Sequence, residues 1–303
     1  MSTDPLLVMK FGGSSVGTPA RFKQIARIVE NSLRHSRLLI VVSALSKVTR
    51  QLDATFQKAA SGLDTSYNVA QIRQRHTGHA RAVLSEEGES AFATEMHGEI
   101  GRLERALEQT RREGGSPKLR DEVLSVGERL SVPLVALSLQ EHGHKAQAAH
   151  ATELLVTDDA FGAANVMIEQ TAERAQQWYD QWPRDVIPVI AGFIGATPKG
   201  ETTTLGFEGS DYTASLLASM LDAASLIRWT DVDGIYSDDP RLDPEATKLD
   251  KITMAEAVRR NEEGRMGMHG KALHPLRGKN ISVYVRCIDL PDQPGTVIVT
   301  GEE

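Results

Sequence analysis

Short, mainly apolar runs alternate with longer amphipathic stretches along this chain, and the alternation predicts an α/β protein. Residues 6–11 and 38–42 are apolar runs of strand length, and residues 22–33 between them repeat apolar positions at helical spacing. Such apolar runs are typical of parallel strands that are buried on both faces. The start of the chain therefore predicts a β-α-β unit, with Thr18 as the helix N-cap and Pro19 as its first residue.

The same alternation returns after a long helical stretch. Residues 51–143 are polar and charged with helical periodicity, and residues 114–117 indicate a break between two helices. Further strands are predicted at 186–193, 202–206, 225–230, 282–287 and 295–299, with a helix at 212–221 that Gly209, Ser210 and Asp211 cap, and a helix-like segment at 269–275. No internal repeat or low-complexity linker divides the sequence, which favours one large α/β domain or two fused lobes.

The end of the first predicted strand carries the clearest chemical signal. Lys10 precedes a turn that contains Gly12, Gly13 and Ser14. Glycines let backbone N–H groups approach an anion, and the following helix directs its positive end into the same space, so the turn predicts a polyphosphate site. Lys10 is expected there as an exposed loop lysine that adds a mobile charge. The turn lacks the Gly-Lys-Ser/Thr ending of a P-loop, and the chain contains no G-x-G-x-x-G dinucleotide motif.

Three more residues are candidates for the same site. Ser43 and Thr49 follow the second strand, and the carboxyl ends of parallel strands share one crevice, so both are expected beside Gly12 and Gly13. Glu128 lies within an otherwise apolar helix, where a buried carboxylate needs a partner such as a substrate ammonium. A surface position is the alternative for Glu128.

Composition narrows the classes of function. The 303 residues carry a net charge of −7 with only 5% aromatic residues, which makes nucleic acid an unlikely partner. The single cysteine, Cys287, excludes a disulfide framework and a multi-thiolate zinc site, and fits a core position in a reducing compartment. The acidic loop at 231–241 lacks the register of a calcium-binding EF-hand, and His269 and His274 have no third ligand at metal spacing. No signal peptide or membrane-spanning run is evident, so a cytoplasmic protein is expected.

Seven motifs, taken in their order along nearly the whole chain, strongly resemble the aspartate kinase family. They are K-F-G-G-S-S at 10–15, S-A-x-x-x-x-T at 43–49, G-E-R-L-S at 127–131, G-F-I-G at 192–195, T-T-T-L-G with G-S-D at 202–211, W-T-D-V-D-G-I-Y with D-P-R at 229–241, and G-K-A-L-H-P at 270–275. The resemblance implies an amino-acid kinase fold, a three-layer α/β/α sandwich with a mainly parallel central sheet. It implies a single catalytic domain over 1–303, with an acceptor-binding lobe at 1–185 and a nucleotide-binding lobe at 186–303.

The implied activity is the ATP-dependent phosphorylation of the side-chain carboxylate of L-aspartate to L-aspartyl 4-phosphate, the first step toward lysine, threonine and methionine. ATP with nucleotide-bound Mg²⁺ is the implied cofactor, no metal is held by protein ligands alone, and a homodimer is one expected assembly. Matched by motif position, the implied roles are phosphoryl binding by Lys10, Gly12, Gly13 and Ser14, aspartate binding by Ser43, Thr49 and Glu128, and orientation of the acceptor and of Lys10 by Ser210 and Asp211. The implied nucleotide pocket consists of Thr230, Asp231, Tyr236, Asp239, Arg241 and Lys271.

The chain departs from the family pattern in two places. The family usually has L-G-R-G-G-S-D, and Phe207 stands here in place of the arginine expected to bind an aspartate carboxylate, followed by Glu208 in place of glycine. Loss of such a charge-assisted contact costs about 2–4 kcal/mol unless another arginine replaces it, and Arg129 and Arg265 are the candidates. A different carboxylate acceptor, or a non-catalytic nucleotide-binding partner subunit, therefore remains an alternative function.

The second departure is the length of the chain. Regulated members of the family continue into C-terminal ACT domains that bind effectors, whereas residue 303 follows soon after the last predicted strand. An unregulated catalytic unit and the kinase part of a larger fusion are both consistent with this sequence.

Overall fold

Strands and helices alternate along the chain much as the hydrophobic pattern predicts. The computed structural model describes residues 4–206, 208–239, 242–266 and 271–300. The strands are β1 (Leu6–Phe11), β2 (Arg37–Val42), β3 (Ala146–Ala149), β4 (Ile187–Ala191), β5 (Ile194–Ala196), β6 (Thr202–Thr204), β7 (Ser225–Thr230), β8 (Ile235–Tyr236), β9 (Lys248–Leu249), β10 (Lys251–Thr253), β11 (Ser282–Cys287) and β12 (Thr296–Val299). The helices are α1 (Pro19–Leu33), α2 (Val48–Ala60), α3 (Ser66–Val83), α4 (Glu86–Glu113), α5 (Pro117–Glu141), α6 (Ala151–Leu154), α7 (Ile168–Asp180), α8 (Gly209–Met220) and α9 (Met254–Glu262), with a 3₁₀ turn at His274–Leu276.

A mainly parallel sheet of eight strands, counted over the described residues, runs through the molecule in the order β10-β12-β11-β7-β1-β2-β4-β3. Only the pairing of β11 with β12 is antiparallel. Strand β1 lies near the middle, and all six of its residues are buried. A central parallel strand needs apolar side chains on both faces, which explains its mainly apolar sequence.

Helices cover the sheet on both sides, which gives the three-layer α/β/α arrangement that the motifs imply. Helices α1 and α5 pack on one side, with α2, α3 and α4 beyond them, and α8 packs against β1, β2 and β7 from the other side together with α7. Helix α1 begins at Pro19 after Thr18 as predicted, and it buries Phe22, Ile25 and Val29. The break between α4 and α5 falls at residues 114–116, where the sequence predicts it.

The structure adds elements that the pattern did not reveal, divides the predicted helical stretch 51–143 at two further places, residues 61–65 and 84–85, and moves the start of α8. The strands β3, β5, β8, β9 and β10 and the helix α6 were not predicted, because each spans four residues or fewer and is too short to show a period. The amphipathic helices α7 and α9 were also missed, although each buries one face. Helix α8 begins at Gly209, so Ser210 and Asp211 lie within its first turn and Glu208 is the N-cap. The predicted segment 269–275 lies partly outside the described residues, and its described part contains only the 3₁₀ turn.

Cys287 is a buried, free cysteine in β11, in agreement with the predicted core position. Among the described helices, none combines the length and the apolar character that crossing a membrane requires.

Candidate active site

A cleft of ≈ 720 Å³ opens at the carboxyl ends of β1, β2 and β7, beside the first turn of α8. Ligands of open parallel sheets bind at these strand ends. The predicted site residues that line the cleft are Lys10, Gly12, Gly13, Ser14, Ser43, Thr49, Glu128, Ser210, Asp211, Thr230 and Asp231. The fold thus brings together residues that are far apart in sequence and that the motifs assigned to the phosphate, the acceptor and the nucleotide.

Lys10 lies in β1 and is buried, so the prediction of an exposed loop lysine was wrong. Its side chain is 8% exposed, and its Nζ atom donates to Oδ1 of Asp211 at 2.8 Å. Nε of Arg228 donates to the same oxygen at 3.2 Å. Lys10 is buried because β1 continues to Phe11 and the start of α8 covers the end of the strand. Asp211 therefore holds the Lys10 side chain in one place, as the predicted orienting role requires.

For both Lys10 and Asp211, burial shifts the pKa in one direction and the charge of the partner shifts it in the other. Burial favours the neutral form of Asp211, but the charges of Lys10 and Arg228 outweigh it and lower the pKa of the Asp211 carboxyl. Burial lowers the pKa of Lys10, and the charge of Asp211 opposes that shift. A hydrogen bond between opposite charges favours the ionised form of both partners, so Lys10 and Asp211 form a buried ion pair.

The glycine turn after β1 is fixed by contacts on two sides. A Cβ atom on Gly13 would lie 2.9 Å from the carbonyl oxygen of Ala44, closer than real Cβ atoms come to a neighbour. The hydroxyl of Ser15 donates to the carbonyl oxygen of Trp229 at 2.9 Å, which ties the turn to the end of β7. The absence of side chains at Gly12 and Gly13 leaves the backbone accessible for a phosphate to approach closely.

Glu128, on α5, lines the same cleft. It is 3% exposed, and its Oε1 atom accepts the amide hydrogen of Ala44 at 3.2 Å. Its Oε2 atom is buried and has no hydrogen-bond partner among the described residues. Burial raises the pKa of Glu128 to about 8, because the charged form is poorly solvated. The surface alternative for Glu128 is therefore excluded, and a ligand ammonium can supply the missing partner.

The residues around Glu128 explain the rest of its motif. A Cβ atom on Gly127 would lie 2.9 Å from the Cβ atom of Ala44, so glycine lets α5 approach the loop after β2. Ser131 donates its hydroxyl to the carbonyl oxygen of Ser43 at 2.7 Å. The motif thus fixes the loop that carries Ser43 against the helix that carries Glu128.

The first turn of α8 forms another wall of the cleft. Ser210 is 6% exposed, and a Cβ atom on Gly192 would lie 2.5 Å from its Cβ atom, so the end of β4 packs directly against this turn. Glu208 has φ 59, in the left-handed region that a residue with a side chain rarely adopts. The helix N-terminus presents backbone N–H groups and a positive dipole end at the cleft, which suits an anion.

A buried carboxylate outside the motifs, that of Asp121, holds two other residues that line the cleft. Asp121 is fully buried in α5 and accepts three hydrogen bonds, from the amide of Gly162 at 2.8 Å and from the amide and hydroxyl of Thr204 at 2.9 and 2.7 Å. Gly162 and Thr204 both line the cleft. Sequence reasoning missed Asp121, because an acidic residue in a charged helix gives no signal of burial.

Some predicted residues lie elsewhere. Tyr236, Asp239 and Lys271 do not line the cleft; the hydroxyl of Tyr236 donates to Oδ1 of Asp233 at 2.8 Å, and Nζ of Lys271 donates to Oδ1 of Asn165 at 3.3 Å. Arg241 and Phe207 lie outside the described residues. Among the described residues of the predicted nucleotide pocket, Thr230 and Asp231 line the cleft, and the pocket as a whole stays a prediction.

Neither proposed replacement for the arginine missing at position 207 lines the cleft. Arg129 donates to the hydroxyls of Ser125 at 3.3 Å and Thr202 at 3.2 Å. Arg265 pairs with Asp238 at 2.8 Å, in the acidic loop. The cations that do line the cleft besides Lys10 are Lys47, Arg50, Arg120 and Arg228, none of which the motifs had assigned.

Among the described residues, no group of three or more His, Cys, Asp and Glu side chains could hold a metal ion. The carboxylate of Asp231 and the hydroxyl of Thr230 nevertheless offer oxygen ligands at the cleft. Mg²⁺ commonly binds through one or two carboxylates together with substrate phosphates, so these residues fit a metal that is carried by a nucleotide.

Comparison with known proteins agrees with this geometry. The sequence profile of the Amino acid kinase family matches residues 5–287. Bifunctional aspartokinase/homoserine dehydrogenase 2 of Zea mays is 32% identical over 295 residues, which are 96% of this chain and 32% of the maize protein. Aspartokinase 1 of Arabidopsis thaliana is 31% identical over 96% of this chain and 51% of its own length. The chain thus spans from about a third to about half of these relatives.

Solved structures give the same result. The structure of E. coli aspartokinase III in complex with aspartate and ADP superimposes with a TM-score of 0.90 at 32% identity, covering 98% of this chain and 65% of that one. The uridylate kinase of Archaeoglobus fulgidus, at 19% identity and a TM-score of 0.52, shares the fold alone. The chain belongs to the amino acid kinase family, and its sequence is homologous to aspartokinases along nearly its whole length.

Proposed function

We propose that this chain transfers the γ-phosphoryl group of ATP to the side-chain carboxylate of L-aspartate and forms L-aspartyl 4-phosphate. The observation that carries the proposal is the pairing, in one cleft, of a cationic phosphate site with a buried carboxylate that has one unpartnered oxygen. Lys10 and the glycine turn form the first, and Glu128 is the second. A carboxylate that lacks a cation is the complement of an amino-acid ammonium.

The similarity to aspartokinase III supports the choice of acceptor. That enzyme was solved with aspartate and ADP, and this chain resembles its structure over 98% of the chain length. In this proposal Glu128 binds the ammonium, and Ser43, Thr49 and Ser210 fix the carboxylates. Residues 1–185 supply most of the acceptor side, and residues 186–303 supply the nucleotide side with Thr230, Asp231, Tyr236, Asp239, Arg241 and Lys271.

The transfer itself needs positioning and positive charge. The bond between the γ-phosphorus and the β,γ-bridging oxygen of ATP breaks and ADP leaves with that oxygen, a bond from phosphorus to a carboxylate oxygen of aspartate forms, and no proton is transferred. Negative charge spreads over the three equatorial oxygens of the moving group. Lys10, held by Asp211, and the backbone N–H groups at Gly13 and Ser14 stabilise that charge without reorganising.

Bound Mg²⁺ would neutralise charge on the nucleotide phosphates, and Asp231 and Thr230 are the residues that would hold it. The proposal also includes a cytoplasmic location and a homodimer.

Hydroxylamine trapping of the acyl phosphate tests the proposal directly. The protein is incubated with MgATP, hydroxylamine and a panel of amino acids and other carboxylates, and hydroxamate formation is measured. We expect hydroxamate with L-aspartate and a matching release of ADP. Hydroxamate with another carboxylate but not with aspartate would overturn the acceptor assignment, and none with any acceptor would indicate a non-catalytic nucleotide-binding protein.

A further inference from the structure

Arg228 is a second cation beside Lys10 on the floor of the cleft. The register of the parallel strands β1 and β7 pairs Lys10 with Arg228, so both side chains lie on the same face of the sheet. The next positions in that row are Val41 on β2 and Val285 on β11. Across the sheet this row consists of Val41, Lys10, Arg228 and Val285, so two cations lie side by side between two apolar residues. The Arg228 side chain is 15% exposed.

This arrangement is unfavourable without compensating charge. Like charges that face each other on adjacent strands repel, and the repulsion grows when water is excluded. Nζ of Lys10 and Nε of Arg228 donate to the same Asp211 oxygen, at 2.8 and 3.2 Å, so they can be no farther apart than those two distances added together. A single carboxylate oxygen thus lies between two cations.

Glu208 supplies a second negative charge to this cluster. Its carboxylate is half-buried, and burial followed by the charge of Asp211 raises its pKa, while Arg228 and Lys10 lower it. Glu208 also takes up the unfavourable left-handed backbone conformation at the start of α8. Such a conformation is unfavourable for a residue with a side chain and persists where the surrounding structure requires it. Glu208 lines the cleft together with Lys10, Asp211 and Arg228, and its carbonyl oxygen accepts the amide hydrogen of Asp211 at 3.1 Å. Two cations and two carboxylates therefore line the part of the cleft where Lys10 is expected to bind the phosphoryl group.

We propose that Arg228 is a second catalytic cation for the transferring phosphoryl group, acting beside Lys10, and that Glu208 is the residue that positions Arg228. The inference rests on the proposed phosphoryl transfer but is independent of which carboxylate accepts the group. The planar guanidinium of arginine offers several N–H donors and a positive charge to the equatorial oxygens of the phosphoryl group. The alternative is that Arg228 only balances the charges of Glu208 and Asp211.

Binding of a transition-state mimic separates these two roles. The affinity for ADP and Mg²⁺ is measured by calorimetry with and without aluminium fluoride, in the parent protein, in Arg228→Gln and in Arg228→Lys. We expect aluminium fluoride to tighten binding in the parent by at least about tenfold, and Arg228→Gln to lose most of this gain while its affinity for ADP alone changes less than about threefold. Arg228→Lys should keep most of the gain, and Arg286→Gln, which removes a half-buried arginine of β11, should match the parent.

Kinetics provide the second measurement. Arg228→Gln should lower kcat by about 10²–10³-fold with KM for ATP nearly unchanged. Glu208→Gln should lower kcat by about tenfold when Arg228 is present and have little effect in the Arg228→Gln background, because a positioning residue acts through its partner. If Arg228→Gln does not fold, the binding of ADP with aluminium fluoride is measured instead in the double variant Glu208→Gln with Arg228→Gln, which removes one positive and one negative charge together.

Each outcome counts for or against the inference. A parent that forms hydroxamate from aspartate while Arg228→Gln keeps its kcat and its gain from aluminium fluoride would refute the role of Arg228 and leave the proposed function standing. A gain from aluminium fluoride that the parent shows and Arg228→Gln loses, in a protein that does not phosphorylate aspartate, would support the role of Arg228 and refute the acceptor. No gain in the parent would refute the inference.

Discussion

Glu128→Gln tests the most consequential electrostatic feature of the cleft. Glu128 is buried with one carboxylate oxygen unpartnered, and its pKa rises from 4.5 to about 8. The folded chain therefore holds this proton more tightly than the unfolded chain does. The contribution of Glu128 to stability is fully present below pH 4.5 and is lost as the pH rises through about 8. At about 1.36 kcal/mol per pKa unit, ionising Glu128 in the ligand-free fold costs at most about 5 kcal/mol.

Glutamine has nearly the same shape as glutamic acid but no ionisable proton, so the Glu128→Gln variant should not lose stability through ionisation of this side chain at high pH. We expect Glu128→Gln and the parent to have similar unfolding free energies at pH 5, and the variant to be more stable by a few kcal/mol at pH 8.5. The same change should raise KM for aspartate by about 100-fold, because a neutral amide cannot replace the charge that binds the ammonium. Urea denaturation across pH 5–8.5 and hydroxamate kinetics measure the two effects.

Glu122→Gln is the matched control, since Glu122 lies on the same helix but pairs with Arg102 at 2.7 Å. It should leave KM for aspartate unchanged and should not become more stable than the parent at pH 8.5. Calorimetry adds an independent check: aspartate binding at pH 7 should release a proton from Glu128, because the ammonium lowers the pKa of that carboxyl. Parallel stability profiles for Glu128→Gln and the parent, together with an unchanged KM, would refute this reasoning.

Three further changes test other parts of the site. Lys10→Ala should lower kcat by about 10²–10⁴-fold and also lower the unfolding midpoint, since Asp211 is left with Arg228 alone; near-normal turnover would reject the phosphate site. Gly13→Ala should lower activity by more than about tenfold, because its new Cβ atom would force the turn away from Ala44. Gly78→Ala is the control: Gly78 faces open space on α3, so this variant should behave like the parent in both activity and stability assays. Asp121→Asn should destabilise the fold by about 2–4 kcal/mol in urea denaturation, because the amide can replace only part of three buried hydrogen bonds; an unchanged midpoint would show that Asp121 is not needed to hold Thr204.

The fold and the main members of the site could be predicted because they rest on local pattern and ordered motifs. The alternation of apolar runs gave the parallel sheet, and the motifs around Lys10, Ser43, Glu128 and Asp211 are each contiguous in sequence. The roles of these residues, the division into two lobes and the nucleotide residues remain predictions. Strands β8 and β9, with two residues each, are too short to produce a hydrophobic period.

The features that sequence reasoning missed depend on pairing between distant segments. Lys10 was expected to be exposed because a lysine before glycines is typical of a surface turn, and only the packing of α8 over β1 buries it. Arg228 lies in a correctly predicted strand, yet its place beside Lys10 follows from the register of β7 against β1, which no local pattern specifies. Alternation along β7 could have raised the question, since Arg228 interrupts an apolar run.

The close packing of Gly13 against Ala44 has a consequence for motion. Since no space separates the glycine turn from the loop after β2, and Ser131 ties that loop to α5, we expect these segments to move together. Under the proposed function, the turn that would bind the phosphoryl group and the Glu128 carboxylate that would bind the ammonium then keep a fixed separation. We expect that fixed distance to reject an acceptor of the wrong length, and product release to depend on movement elsewhere.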